Sequence, residues 1–315
     1  MAHEIHEYDD MFSVIQTPWH GLGKVLKDSP GIDEALEISG LTWNVNSLDI
    51  FTEKKEPIKK FKALQREDTK EIFTVVSNRY KVLQNHQAFN VFKPLVENGD
   101  ISLETAGSLH NGRKVWILGR ITSEKEQEVG DGDIVKPYVL LSNSHDGTQA
   151  IRIGFTPVRV VCNNTLSMSI KNRDSKLIRV YHKGDVEANL TDLRDMMEFG
   201  TASFKARIKD YRLLNTKRIN KTDIRKYIRK VFDSDEDIEI RNEKAILLVL
   251  NNGKGLGIRN GNEPTLWEIY NAVNEWGLWH KGKNQNRRLT SAWFGNGYTL
   301  DNRAFNIALD IAKAA

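Results

Sequence analysis

A change in the spacing of apolar residues near residue 184 constrains this chain more than any other feature. Before it, apolar residues come in short β-branched and aromatic runs broken by turn residues; after it, they recur at steps of three and four. A period of two places alternate side chains on opposite faces of a strand, whereas a period near 3.6 gathers them on one side of a helix. The two stretches therefore cannot share one kind of secondary structure. We expect an α+β protein. A β-rich, antiparallel N-terminal region over 1–184, with a three-strand meander and a helix, is followed by a helical C-terminal part over 185–315 packed on it.

Strand candidates open the first region at Trp43 to Phe51, Ile58 to Leu64 and Glu71 to Ser77, in direct succession, which predicts an antiparallel meander. Asn85 then reads as a helix cap, with Ala88, Phe89, Phe92, Leu95 and Val96 at helical spacing and a stop at Asn98-Gly99. Further strands are expected at Ile101 to Ala106, Arg113 to Ile121, Pro137 to Ser142, Gln149 to Phe155 and Val158 to Cys162. The turns between them carry hairpin chemistry in Asn111-Gly112, Asp131-Gly132 and Asp146-Gly147. In the second region Leu190, Leu193, Met197, Thr201, Phe204, Ile208 and Tyr211 form one stripe of a long helix. A second helix, capped near Asn220 or Thr222, turns Ile224, Tyr227, Ile228 and Val231 inward, and helices are expected again over Thr265 to Trp279 and Asp301 to Lys313.

Composition removes several classes. At 315 residues, 39% hydrophobic and 28% charged, with mean hydropathy −0.50, the chain is neither collagenous nor disordered, and no apolar run approaches the roughly 18 residues of a spanning helix. One cysteine, Cys162, excludes an internal disulfide, and the acidic start MAHEIHEYDD lacks the layout of a secretory signal; we read a protein of the cytoplasm with no membrane partner. The net charge of +4 hides a regional division of about −6 over 1–150, about +11 over 151–230 and about −1 over the remainder. Between Phe204 and Lys230 only Asp210 and Asp223 oppose a dense set of Lys and Arg, so this segment carries a field suited to a polyanion.

Candidate nucleic-acid-binding residues are therefore Lys205, Arg207, Lys209, Arg212, Lys217, Arg218, Arg225, Lys226, Arg229 and Lys230, with Arg287 and Arg288 from a second basic stretch between Trp279 and Trp293. Lys and Arg meet phosphates through charge, and interleaved aromatics stack bases when exposed, although Phe204, Tyr211 and Tyr227 fall on the apolar stripes and read as core. His145-Asp146 reads as a turn rather than a metal or acid–base pair, and His3 and His6 as part of a terminus rather than ligands. Gly253-Lys254-Gly255-Leu256-Gly257 lacks the Lys-Ser/Thr of a phosphate loop, Trp19 to Gly23 reads as a Trp-anchored turn, and Cys162 reads as a core residue. No catalytic residue, metal site or cofactor is expected.

Thr17-Pro18-Trp19-His20-Gly21-Leu22-Gly23, Gly40-Leu41-Thr42-Trp43, Ala106 to Trp116, Ser142-Asn143-Ser144-His145-Asp146-Gly147 and Pro157 to Leu166, with Leu266-Trp267 and Trp293-Phe294-Gly295 downstream, together resemble the phage/plasmid-like proteins of an uncharacterised domain family. The motifs occur in order over nearly the whole chain. The resemblance implies a mobile-element origin and a bacterial cytoplasm, and supplies no catalytic residues. At the level of fold alone, a three-strand meander followed by a helix is similar to the core of single-strand-annealing recombinases, which assemble as rings. The expectation is a non-enzymatic, homo-oligomeric DNA-binding protein of recombination, replication or repair. The alternative, in a different class, is an interaction protein that engages a host protein.

Overall fold

A computed structural model of the chain describes residues 11–14, 23–130, 132–159, 164–165, 178–184, 193–233, 240–253, 263–281, 291 and 296–314. The chain is α+β, with strands concentrated toward the N-terminus and helices toward the C-terminus. It divides into two compact units, one of residues 1–124, 138–155 and 176–200, the other of residues 125–137, 156–175 and 201–315.

In the first unit the meander forms as a separate sheet, β3 (Val45–Phe51), β4 (Pro57–Arg66) and β5 (Ile72–Ser77), antiparallel and in chain order, preceded by β1 (Met11–Val14), β2 (Lys24–Leu26) and α1 (Ile32–Ile38). Register explains its two faces. Ser47, Leu64 and Thr74 stand side by side, as do Leu48, Ala63 and Val75 on the next row. In the first row Leu64 is buried at 0% beside a half-buried Thr74, while in the second Leu48 and Val75 are exposed at 37% and 52% on either side of the buried Ala63.

The expected single helix after the meander is two short ones, α2 (Asn85–Asn90) and α3 (Lys93–Glu97). The cap is Gln84 rather than Asn85, in a reciprocal capping box with Gln87. Pro94, near the start of α3, explains the break, because its ring excludes the carbonyl four residues back and it offers no N–H. Asn85 is thereby released to turn into the core.

The larger sheet runs β10–β9–β7–β6–β1–β2, built from β6 (Ile101–Leu109), β7 (Lys114–Ile121), β9 (Asp133–Ser144) and β10 (Ile151–Arg159); β8 (Gln127–Gly130) pairs with the start of β9, β11 (Asn164–Thr165) with the end of β10, and β12 (Ile178–Val180) with its beginning. The strands expected at Gln149 to Phe155 and Val158 to Cys162 thus belong to one strand as far as Arg159. The β6–β7 turn places His110, Asn111 and Gly112 in succession at φ of 55°, 59° and 90°. Gly112 is required there twice over, since a Cβ at that position would lie 2.5 Å from the Trp43 ring.

The second unit is mainly helical. α4 (Leu193–Thr216) enters it at residue 201 and is followed by α5 (Lys221–Phe232), α6 (Ile240–Asn252), α7 (Leu266–Glu275) and α8 (Asn296–Ala314), with a π-helical turn over Trp276–His280. The run Ala245 to Leu250 and the residues Asn251-Asn252 are therefore helix. Phe204, Tyr211, Tyr227, Trp267, Tyr270 and Phe305 fill the core. Two of its buried polar groups are answered within it: the Trp267 indole N–H donates to Asp133 at 2.8 Å and the Tyr227 hydroxyl to the Ala304 carbonyl at 3.0 Å.

Candidate nucleic-acid interface

The basic segment becomes two helices whose inner faces are apolar. On α4 the buried Phe204, Ile208, Tyr211 and Leu214 alternate with exposed Lys205, Lys209 and Arg212, which recur at steps of four and three along one outer stripe. On α5 the buried Ile224, Tyr227, Ile228 and Val231 leave Lys221, Arg225, Lys226 and Lys230 outside. Asn220 starts α5 by accepting the Asp223 backbone N–H at 3.0 Å, and Asp233 ends it in the left-handed region at φ 51°. Burial pushes the Tyr211 and Tyr227 phenols up, so both remain protonated. Neither ring is available to stack a base, and the helices offer charge alone.

Not every cation is equally free to meet a phosphate. Arg207 is half-buried with its guanidinium 4.1 Å from the Phe305 ring centre. Arg212, although exposed, donates from Nε to the Glu128 carbonyl at 2.9 Å and from a terminal nitrogen to Gln127 at 3.1 Å, holding α4 against β8. Arg218 donates to the Glu263 carbonyl at 2.6 Å beside its bridge to Thr265, and the half-buried Lys217 accepts the Leu266 N–H on its carbonyl at 2.8 Å. Arg225 pairs with Glu243 at 2.8 Å, the carboxylate side chain only 14% exposed, and Lys226 with Asp223 at 2.9 Å in the open. The Lys226 bond, then that from Asn220, holds the Asp223 carboxyl below its ordinary range.

Arg229 is half-buried, and Lys205, Lys209 and Lys230 are exposed. Arg287 and Arg288 lie outside the described residues, as do His3, His6, most of Trp19 to Gly23, Cys162, Lys254 to Gly257 and Trp293. Among the described residues no group of three or more His, Cys, Asp or Glu is placed to hold a metal ion, and no helix is long and apolar enough to cross a membrane.

His145-Asp146 takes a different part from a simple surface turn. Asp146 accepts from the Thr148 backbone at 3.0 Å and from the Ser144 and Thr148 hydroxyls at 2.5 Å, as an Asx turn does. Burial raises its carboxyl, but these bonds and the Lys114 charge outweigh that effect and hold it below its ordinary value. His145 itself is 1% exposed, with Nε2 2.9 Å from Asn85 Oδ1. Because the Asn85 amide nitrogen donates to the Trp43 carbonyl at 3.2 Å, Oδ1 is the acceptor and His145 carries its proton on Nε2.

The His145 ring lies edge-on to Trp43 at 5.5 Å and stacks on Phe73 at 6.0 Å. Trp43 and Phe73 are also covered by Arg66 and Arg113, whose guanidinium carbons lie 4.5 and 5.4 Å from the respective ring centres. Residues from Gly40 to Trp43, Ala106 to Trp116 and Ser142 to Gly147 thus meet in one buried hub. No local signal in any of these stretches announces the meeting; the nearest is the repeated pairing of turn residues with an aromatic or histidine.

A family model described as a domain of unknown function, DUF932, matches residues 72–293. With most of its length matched, the chain belongs to the DUF932 family. No curated protein and no solved structure shows a significant match.

Proposed function

We propose that this chain is a non-enzymatic DNA-binding protein of a phage or plasmid, acting in recombination, replication or repair of the element's DNA, single-strand annealing among these. The observation that carries it is the exposed cationic side of α4 and α5, on which Lys205, Lys209, Lys221 and Lys230 stand outward over an apolar core. Contact through charge alone implies backbone neutralisation with little base readout. Homo-oligomerisation and a bacterial cytoplasm belong to the same reading.

Fluorescence anisotropy with labelled single- and double-stranded oligonucleotides across a salt series tests it. The expected result is binding whose log affinity falls linearly with log salt, and which is lost on replacing Lys209, Lys221 and Lys230 together with Glu while the protein stays folded. Absence of binding at low salt overturns the proposal.

A second reading, an interaction protein that engages a host protein, draws on the outer face of the β3–β4–β5 sheet, where Leu48, Ile72 and Val75 are 37%, 45% and 52% exposed. A stoichiometric host partner with no affinity for DNA would favour it.

A further inference from the structure

Beyond the last β4–β5 pair, Phe61 with Ser77, β3 and β4 continue as a two-stranded ribbon, and every residue from 51 to 61 is exposed. Its tip is ordered by its own bonds. The Thr52 N–H donates to the Glu56 carbonyl at 2.8 Å, the Lys55 N–H to the Thr52 carbonyl at 2.8 Å, and Lys55 takes φ 61° to close the turn.

Two features set this ribbon apart. Phe51, opposite Pro57, and Phe61 are 57% and 46% exposed, unlike the tyrosines of α4 and α5, which are buried. Beside them stand Lys54, Lys55, Lys59, Lys60 and Lys62, none of which has a salt-bridge partner among the described residues. At the other end of the same sheet charges are tied down: Arg66 pairs with Asp68 and Arg113 with Glu71, both at 2.7 Å. Glu53 and Glu56 are the only acidic residues of the ribbon from 53 to 62. Lys62 also feels the like charge of Lys81, which together with the larger effect of burial lowers its ammonium below the usual range. An anion between such lysines would relieve that repulsion.

We propose that the β3–β4 ribbon is a contact for single-stranded nucleic acid, with Phe51 and Phe61 stacking unpaired bases and the flanking lysines neutralising phosphates. Exposed rings next to unpaired cations are the two elements that sequence-tolerant single-strand binding requires. An apolar protein partner would leave these lysines unanswered. This inference deepens the DNA-binding reading and rests on it, but places the contact in the first unit.

The test compares the full chain with two variants, Phe51→Leu/Phe61→Leu and Lys54→Glu/Lys55→Glu/Lys59→Glu/Lys60→Glu, and with the Lys209, Lys221 and Lys230 charge reversal, each checked for an unchanged melting profile. The probe is a fluorescein-labelled oligothymidylate of about 30 nucleotides, read by anisotropy, with a duplex of the same length beside it. Leucine keeps the apolar surface and removes the ring, so the first variant, which removes two rings, should weaken single-strand binding by roughly 30-fold or more and leave duplex binding nearly unchanged. The lysine variant should flatten the salt slope by about 3.

Wild-type binding that the α4–α5 reversal abolishes and neither ribbon variant alters overturns the ribbon contact and leaves the DNA-binding reading standing. The converse result supports the ribbon and removes the helices from the interface. A fall in oligomer mass on light scattering with unchanged affinity would make the ribbon a contact between copies and overturn the proposal. A wild type that binds neither oligonucleotide overturns both.

Discussion

Lowering the pH from 7 to 5 should selectively weaken the first unit, and His145 is the reason. Its ring is 1% exposed, donates from Nε2 to Asn85 at 2.9 Å and lies against Trp43 and Phe73. Burial first, and the His182 charge second, push its pKa down to about 3, with Asp146 acting weakly in the opposite direction. In the unfolded chain the imidazole titrates near 6.5, so below that pH the unfolded state takes a proton that the folded state refuses. The stabilising effect of the neutral form is therefore complete above about pH 6.5 and declines steadily as the pH falls toward 3. At about 1.4 kcal/mol per unit, pH 5 should remove about 2 kcal/mol.

Urea titrations with pulsed hydrogen exchange, read on peptides from β6 and β7, follow this unit by itself. His182 is also held below its usual value, by burial first, so the informative quantity is the difference between wild type and His145→Gln. The variant should be less stable at pH 7 and lose about 2 kcal/mol less on going to pH 5. Parallel losses in the two proteins would refute the argument, because they would show that His145 does not resist protonation in the folded state.

Three further outcomes follow from single contacts. Gly112→Ala places a Cβ 2.5 Å from the Trp43 ring at φ 90° and should cost about 2 kcal/mol or more in thermal unfolding, whereas Gly132→Ala, where the added Cβ meets nothing, should cost only the backbone strain. Asn220→Ala removes the cap of α5 and should lower stability by about 1 kcal/mol without changing the helix's exposed charges, measurable by scanning calorimetry. Arg212→Ala should destabilise the second unit by freeing the Glu128 carbonyl and Gln127 with little change in oligonucleotide affinity of the folded protein, while Lys209→Ala leaves the melting temperature unchanged and lowers that affinity.

The legible part of the fold is the part that periodicity dictates. Three β-branched runs in succession gave the meander, and the stripe Phe204, Ile208, Tyr211 with Ile224, Tyr227, Ile228 gave α4 and α5 with their inner faces correct. Short elements escaped. β1, β2 and β8 are three or four residues each and become strands only because a longer partner supplies the ladder, and α1 holds only seven. The start of α2 moved from Asn85 to Gln84 because Asn85 has a better use in the core, where it joins Trp43 to His145 across 42 and 60 positions. Contacts at such separation leave no local pattern. The ribbon escaped for the opposite reason: Ile58 and Phe61 among lysines read as part of a strand, and a strand pattern does not tell that they stand exposed, at 36% and 46%.

The same distinction bears on how strongly α4 and α5 can hold a polyanion. Arg207 covers the Phe305 ring, Arg212 and Arg218 brace backbone carbonyls, and Arg225 and Lys226 face carboxylates. A phosphate gains little from a cation whose bonds it must first break; the Lys226–Asp223 pair, with side chains 67% and 46% exposed, is cheap to open, whereas opening Arg225–Glu243 strands a carboxylate that is only 14% exposed. If Lys209, Lys221 and Lys230 alone meet phosphates, a single-strand salt slope near −2 is expected; recruiting Lys205 and opening both ion pairs brings it to about −4. Neutralisation by every Lys and Arg between Phe204 and Lys230 would give about −8, and would require Arg212 and Arg218 to abandon the contacts that hold the unit together. A measured slope that steep for the α4–α5 contribution, isolated by the ribbon lysine variant, would mean that these arginines are bound to DNA in preference to their own backbone.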